Sequence, residues 1–559
     1  MEAVALELLE WPRLCRQVAG FAATDLGRKS PLPLALTQAE AEYLTQLTAE
    51  VWGLPELPWD GVADVGEALR RAEKQGVLSA GELWAIAATL AGARAIRRAI
   101  DQAPHAPLLQ QLVAECRTYP DLEREIYHCL DEGGTVRDRA SEKLTEIRLG
   151  LRQTRDDIYS KLQNIIQAQG AALQETVITQ RSDRYVLAVK ASHKDRILGV
   201  VHDTSATGLT LFVEPHSTVP LNNRLRQAVK LEEREIERIL RVLSAKVGEV
   251  VPDPQALVTV LTTLDLATAR ARYSRWVDGV PGQWGGDRLE LRQVRHPLLV
   301  WQERQEGGQP VVAVDCVTDP IIRVVAITGP NTGGKTATLK TVGIVTLMAR
   351  AGLFVPAQSP VRLPWLAPVL ADIGDEQSLQ QNLSTFSGHV RRIAQILGEL
   401  TENALVLLDE VGAGTDPSEG SALAIALLNH LATRARLTVA TTHYGELKLL
   451  KYQNPLFENA SVEFDEVTLS PTYRLLWGIP GRSNALAIAR RLGLTESVLA
   501  NAAQHLGSGS QDVNRLIAEL ENQRREQQQK LAEAIALHGE AERLHREISH
   551  RAEQLRSRY

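Results

Sequence analysis

The sequence predicts an α/β domain of P-loop type, preceded by a mostly helical region with a small β-rich insert and followed by a coiled-coil helix. Three observations carry this. Val324 to Ile327 is a short apolar, β-branched run that enters Gly329-x-x-x-x-Gly334-Lys335-Thr336, after which Leu339, Val342, Val345 and Met348 repeat at helical spacing. Ala404-Leu-Val-Leu-Leu-Asp409-Glu410 is a second apolar run, delivering two carboxylates to its C-terminal end. Leu437-Thr-Val-Ala-Thr-Thr442 is a third, ending at His443.

The glycine-rich turn lies between a strand and a helix, the context in which that spacing has a mechanism. Gly329-Pro330-Asn331-Thr332-Gly333-Gly334 would wrap phosphates with backbone N–H groups and the helix N-terminus. Lys335 can reach the β- and γ-phosphates, and the Thr336 hydroxyl can ligate Mg²⁺. Asp409 would hold Mg²⁺ through water, and Glu410 would orient and deprotonate the attacking water. His443 is placed to contact a γ-phosphate or its water.

These motifs resemble those of the MutS family, within the ABC class of ATPases. Gly-Pro-Asn-Thr-Gly-Gly-Lys-Thr, Leu-Leu-Asp-Glu-Val-Gly-Ala-Gly-Thr-Asp-Pro and Ala-Thr-Thr-His-Tyr-Gly-Glu-Leu match its nucleotide motifs. Asn382-Leu-Ser-Thr-Phe-Ser-Gly-His389 matches its signature loop and, with Thr332, the second MutS type, which lacks mismatch-reading domains. The resemblance implies an ABC/RecA-like ATPase using ATP and Mg²⁺. It also implies a homodimer in which Ser384, expected as a helix N-cap, completes the partner's ATP site in trans; Ser387 and His389 are further candidates there.

Composition narrows the setting. The 559 residues are 44% hydrophobic, enough for several domains, and the formal net charge is −6, so nucleic-acid contact requires a local basic patch. Cys15, Cys116, Cys129 and Cys316 are scattered, as reduced thiols are, without metal-site spacing. No signal-peptide pattern or membrane-length apolar run occurs, and a cytoplasmic, nucleoid- or ribosome-associated protein is expected.

Taken in order, residues 1–140 are expected to be a helical core. Ser79-Ala-Gly-Glu82 is a capping box before Leu83, Ile86, Leu90 and Ala93. Residues 141–285 hold two long apolar-striped helices flanking an insert at about 175–220, with strands at 185–189, 197–201 and 209–213. The resemblance makes these a lever and clamp. Arg181, Arg184, Lys190, His193, Lys194 and Arg196 cluster there and could neutralise a nucleic-acid backbone. Phe212-Val213-Glu214 and Phe464-Asp465-Glu466 fit the wedge triplet of mismatch readers, but both lie in strand-like stretches elsewhere, so mismatch recognition is not expected.

Val280 to Gly286 is expected as a breaker-rich joint into the ATPase domain, 286–507, with a structural role for His296. A helix after Ser384 should bury Val390, Ile393, Leu397 and Leu400, and a hairpin should turn at Ser470-Pro471. A helix should start near Gly478–Ala485, and residues 508–559 should be a linker and coiled coil. Relatives continue into a small Smr nuclease domain, whose motifs are absent here; the sequence is either a short natural form or incomplete. The expected function is an ATP-hydrolysing homodimeric clamp on branched DNA and recombination intermediates, suppressing homologous recombination. One alternative is a ribosome-binding ATPase that splits stalled ribosomes, reading rRNA by its backbone. Another is an ATP-dependent scaffold without significant turnover.

Overall fold

The computed structural model describes residues 1–330, 333–374, 385–465, 470–481, 489–490, 493–505 and the single residues 527, 530, 533, 534 and 537. Asn331, Thr332, Ser384, most of the expected helix start after Gly478 and nearly all of the expected coiled coil lie outside them. The chain forms two compact units. One comprises Ala23–Ser30 and Gly53–Leu266; the other comprises Met1–Ala22, Pro31–Trp52 and Ala267 onward. The cuts therefore differ from the four-part division expected above: most of the first 52 residues pack with the P-loop domain.

In the first unit the capping box at Ser79 starts helix Ala80–Asp101. The Ser79 hydroxyl accepts from the Glu82 N–H at 3.3 Å, and the Glu82 carboxylate accepts from the Ser79 N–H at 2.9 Å. Two helices, Glu142–Gln169 and Val219–Val250, pack against each other. At 28 and 32 residues they run about 42 and 48 Å. Between them lie β1 (Leu173–Arg181), β2 (Arg184–Lys190), β3 (Gly199–Thr204) and β4 (Thr210–Pro215). They form an antiparallel sheet of order β1-β2-β4-β3. β1 was not foreseen: it is a largely exposed edge strand and its Gln-Glu-Thr stretch lacks the alternation that marks a half-buried one. Ile158 and Leu162 from the first helix meet Leu187, Val189 and Val213 in a single core.

The second unit is built on β5 (Gly282–Trp284), β6 (Glu290–Val294), β7 (Val314–Val317), β8 (Val324–Thr328), β9 (Gln358–Leu363), β10 (Val369–Asp372), β11 (Leu405–Leu408), β12 (Leu437–Thr441), β13 (Phe457–Asp465) and β14 (Ser470–Trp477). The larger sheet runs β10-β11-β12-β8-β13-β14, parallel except at β14. A smaller sheet runs β5-β9-β6-β7. Side chains alternate across the parallel strands: Ile327, Leu407 and Val439 face one core, while Val324, Leu408 and Ala440 face another.

Three expectations are corrected here. The breaker-rich joint contains β5, because Gly282–Trp284 pairs in parallel with β9. Ser470 and Pro471 are not a turn; they pair with Asp465 and Phe464 as the first residues of β14. Helix Thr385–Gly398 buries Ile396 and packs Ile393 against the same core as Leu400, as expected for Ile393 and Leu400, while Val390 and Leu397 are exposed, so the apolar face is shifted in part from the expected one.

Candidate functional site

Three neighbouring parallel strands set the site. β12 lies between β8 and β11, so the carboxyl ends of all three open on one edge of the sheet, where α/β folds place their ligands. At the end of β8, Gly329 takes φ 128° and Gly334 takes φ 89°. A Cβ at Gly329 or Gly333 would stand 2.5 Å from Val462 Cγ2, so the turn can follow this path only with glycine. Helix Lys335–Arg350 then begins with its first N–H groups at the turn.

Lys335 Nζ donates to the Gly329 carbonyl at 2.7 Å and lies 3.0 Å from His443 Nε2. Burial pushes its amine down to about 8, the nearby Glu410 and Asp409 carboxylates offsetting part of that shift. The Thr336 hydroxyl donates to Asp409 Oδ2 at 2.8 Å, and Thr441 donates to the other Asp409 oxygen. The Glu410 N–H donates to Thr441 Oγ1 at 2.8 Å. Glu410 itself sits at φ 49°, in the left-handed region, and its Oε1 is 3.5 Å from His443 Nε2. Lys335, Thr336, Asp409, Glu410 and His443 are thus one constellation, while Asn331, Thr332 and Ser384 fall outside the described residues.

A cavity of about 410 Å³, within the range of small-molecule sites, opens beside the helix start. Gly334, Ala337, Thr338, Val311, Tyr473 and His296 are among the residues that line it. His296 is the N-cap of helix Pro297–Gln305, and burial holds its ring down to about 4, hence neutral near pH 7. Its Nδ1 has no hydrogen-bond partner among the described residues.

Sequence reasoning missed Asp372, Thr441 and Tyr444. Asp372, buried at the end of β10, accepts from His389 Nδ1 at 2.8 Å and Arg392 Nε at 2.5 Å, so the candidate His389 is tied to a strand. The signal was available in part: His389 and Arg392 share a helix face at i, i+3, but only the fold supplies the acid between them.

The basic cluster divides. Arg184 is spent within its own unit, donating twice to the buried Glu214 of β4, at 2.8 and 2.9 Å, and to Asn223 of helix Val219–Val250 at 2.5 Å. His202 and Asn222 also meet Glu214, which makes it a structural anchor. Arg181 pairs with Asp203 and lies over the Phe212 ring, and Lys190 donates to the Ala171 carbonyl. Lys194 and Arg196 are exposed on the 191–196 turn with no ionic partner among the described residues, and His193 is half-buried beside Ser192.

A family model described as MutS domain V matches residues 325–508. "Endonuclease MutS2" of Synechocystis sp. is 55% identical over 582 residues, covering 99% of this chain and 71% of the relative. The proteins of the same name from Shouchella clausii and Geobacillus thermodenitrificans are 44% and 42% identical, covering 93% and 99% of this chain and 67% and 72% of the relatives.

Proposed function

The chain belongs to the MutS family, in its MutS2 branch, and from that membership we propose an ATP-hydrolysing homodimeric clamp that acts on structured DNA. Residues 325–508 are the family's P-loop ATPase domain. The observation that carries the reading is the convergence of Lys335, Thr336, Asp409, Glu410 and His443 at one sheet edge. Lys335 and the glycine turn bind the phosphates, and the cavity beside Ala337 and Thr338 takes the base. Glu410 orients a water and accepts its proton, while His443, within reach of both Lys335 and Glu410, meets the γ-phosphate.

The residues fit Mg²⁺: Thr336 and Asp409 bring a hydroxyl and a carboxylate together. Among the described residues no cluster of three or more His, Cys, Asp or Glu forms a protein cage, in keeping with a cation held largely by phosphate and water. When bound, Mg²⁺ neutralises charge on the phosphate oxygens. Ser384 completes the partner's site, and Lys194 and Arg196 lead the backbone contacts of the clamp. No described helix is long and apolar enough to cross a membrane. The relatives' printed name adds an endonuclease activity, which stays with them here.

Two measurements test this. Lys335→Ala should abolish ATP binding, and near-normal affinity would overturn the P-loop assignment. DNA should co-purify with the protein and be lost on nuclease treatment; co-sedimentation with ribosomes instead would replace DNA by rRNA as the clamp's substrate.

A further inference from the structure

Glu410 holds a backbone conformation that a non-glycine residue adopts only when its surroundings impose it. One four-residue segment imposes it from both sides. On the near side, Thr441 takes the Glu410 N–H on its hydroxyl at 2.8 Å and the Val411 N–H on its carbonyl at 3.1 Å. The turn closes on itself through the Ala413 N–H, which donates to the Glu410 carbonyl at 3.0 Å. On the far side, the Tyr444 hydroxyl donates to the Gly412 carbonyl at 2.7 Å.

The ring of Tyr444 has a made-to-measure slot. A Cβ on Gly420 would stand 2.6 Å from its hydroxyl and 2.4 Å from the Gly412 carbonyl oxygen. A Cβ on Gly412, at φ 83°, would meet the Gly420 carbonyl oxygen at 2.4 Å and the Tyr444 ring at 3.0 Å. Two glycines therefore leave the space in which one phenol reaches one carbonyl. Tyr444 is also the residue after His443, and its own N–H is fixed to Thr442 Oγ1 at 3.1 Å.

We propose that Tyr444 is a positioning residue for hydrolysis. Through Gly412 it fixes the turn that aims Glu410 and links that turn to the segment bearing His443. The proposal rests on reading Glu410 as the residue that activates water, and it adds a second support to the one Thr441 provides.

The test is Tyr444→Phe in the full chain, with Gly420→Ala as a second variant whose Cβ would press on both the hydroxyl and the Gly412 carbonyl it reaches. ATP affinity and the KM for ATP should stay within about two-fold of wild type. Turnover should fall roughly five-fold, the scale of one lost neutral hydrogen bond. Amide exchange at Val411 and Ala413 should rise in the nucleotide-free protein, with β8 unchanged. A residue that merely filled space would lower the melting temperature and leave turnover per folded molecule intact. Wild-type turnover and exchange in Tyr444→Phe would overturn the proposal, whether or not Gly420→Ala folds. The exchange readout also separates the two ideas. Faster exchange without a turnover defect refutes the catalytic role of the tether, while the activity of Glu410 variants judges the reading beneath it.

Discussion

Thr441 shows how much of a site can hang on one hydroxyl. It donates to Asp409 and accepts from the Glu410 N–H, so it fixes the proposed metal ligand and the proposed base together. Thr441→Val preserves the shape but orphans the buried donor. It should cost about 1–3 kcal/mol of stability, read by denaturant melts, and lower ATP turnover; an unchanged midpoint would show that water replaces the bond. Lys335 and Thr336 were legible in the sequence through the glycine spacing between a strand and a helix, and Asp409, Glu410 and His443 because they follow apolar runs. Thr441 and Tyr444 were not. A threonine inside a β-branched strand carries its own structural explanation, and the tyrosine's partner is a backbone carbonyl 32 residues away.

At the scale of elements, the long helices and the small sheet were visible in periodicity, but their fastening was not. Glu235 is buried on helix Val219–Val250, where Arg238, the Ser141 hydroxyl and Lys143 hold its carboxyl down to about 2 from its ordinary 4.5. A depressed carboxyl stabilises the fold fully above 4.5, and that stability is lost as pH falls from 4.5 toward 2. Acid titration of helix content should therefore show a loss in this window that Glu235→Gln removes; the same acid profile in the variant would assign the loss elsewhere. In the sheet beside it, spacing alone made Arg184 and Lys194 equivalent, whereas burial separates them. Reversing Lys194 and Arg196 should weaken DNA binding with the fold intact and flatten the salt dependence by about 0.9 log unit per lost phosphate contact. Arg184→Glu should instead melt the sheet by facing Glu214, and a folded Arg184→Glu protein would reject that pairing.

At the scale of the molecule, the P-loop unit begins at the chain's first residues. Leu9 is buried in its core, and a Cβ on Gly343 of the P-loop helix would come within 2.7 Å of it. Arg350, at the far end of that helix and 1% exposed, pairs with Glu2 and donates twice to the Ala35 carbonyl. Local pattern could not reveal this: the first helices are ordinary amphipathic turns, and what they cover lies some 300 residues on. Leu9→Ala should cost about 2–5 kcal/mol through the cavity it leaves and destabilise the ATPase unit first. Exchange data showing the loss confined to the other unit would contradict that assignment.

In the proposed cycle Glu410 activates the water attacking ATP held by Lys335 and its turn. Phosphate release and ATP affinity measured on the same preparations of wild type and Glu410→Gln test it most directly. The expected result is unchanged affinity with turnover lower by about 10²–10⁴, the range of general-base catalysis. Wild-type turnover by Glu410→Gln would contradict the account and assign the base to another residue.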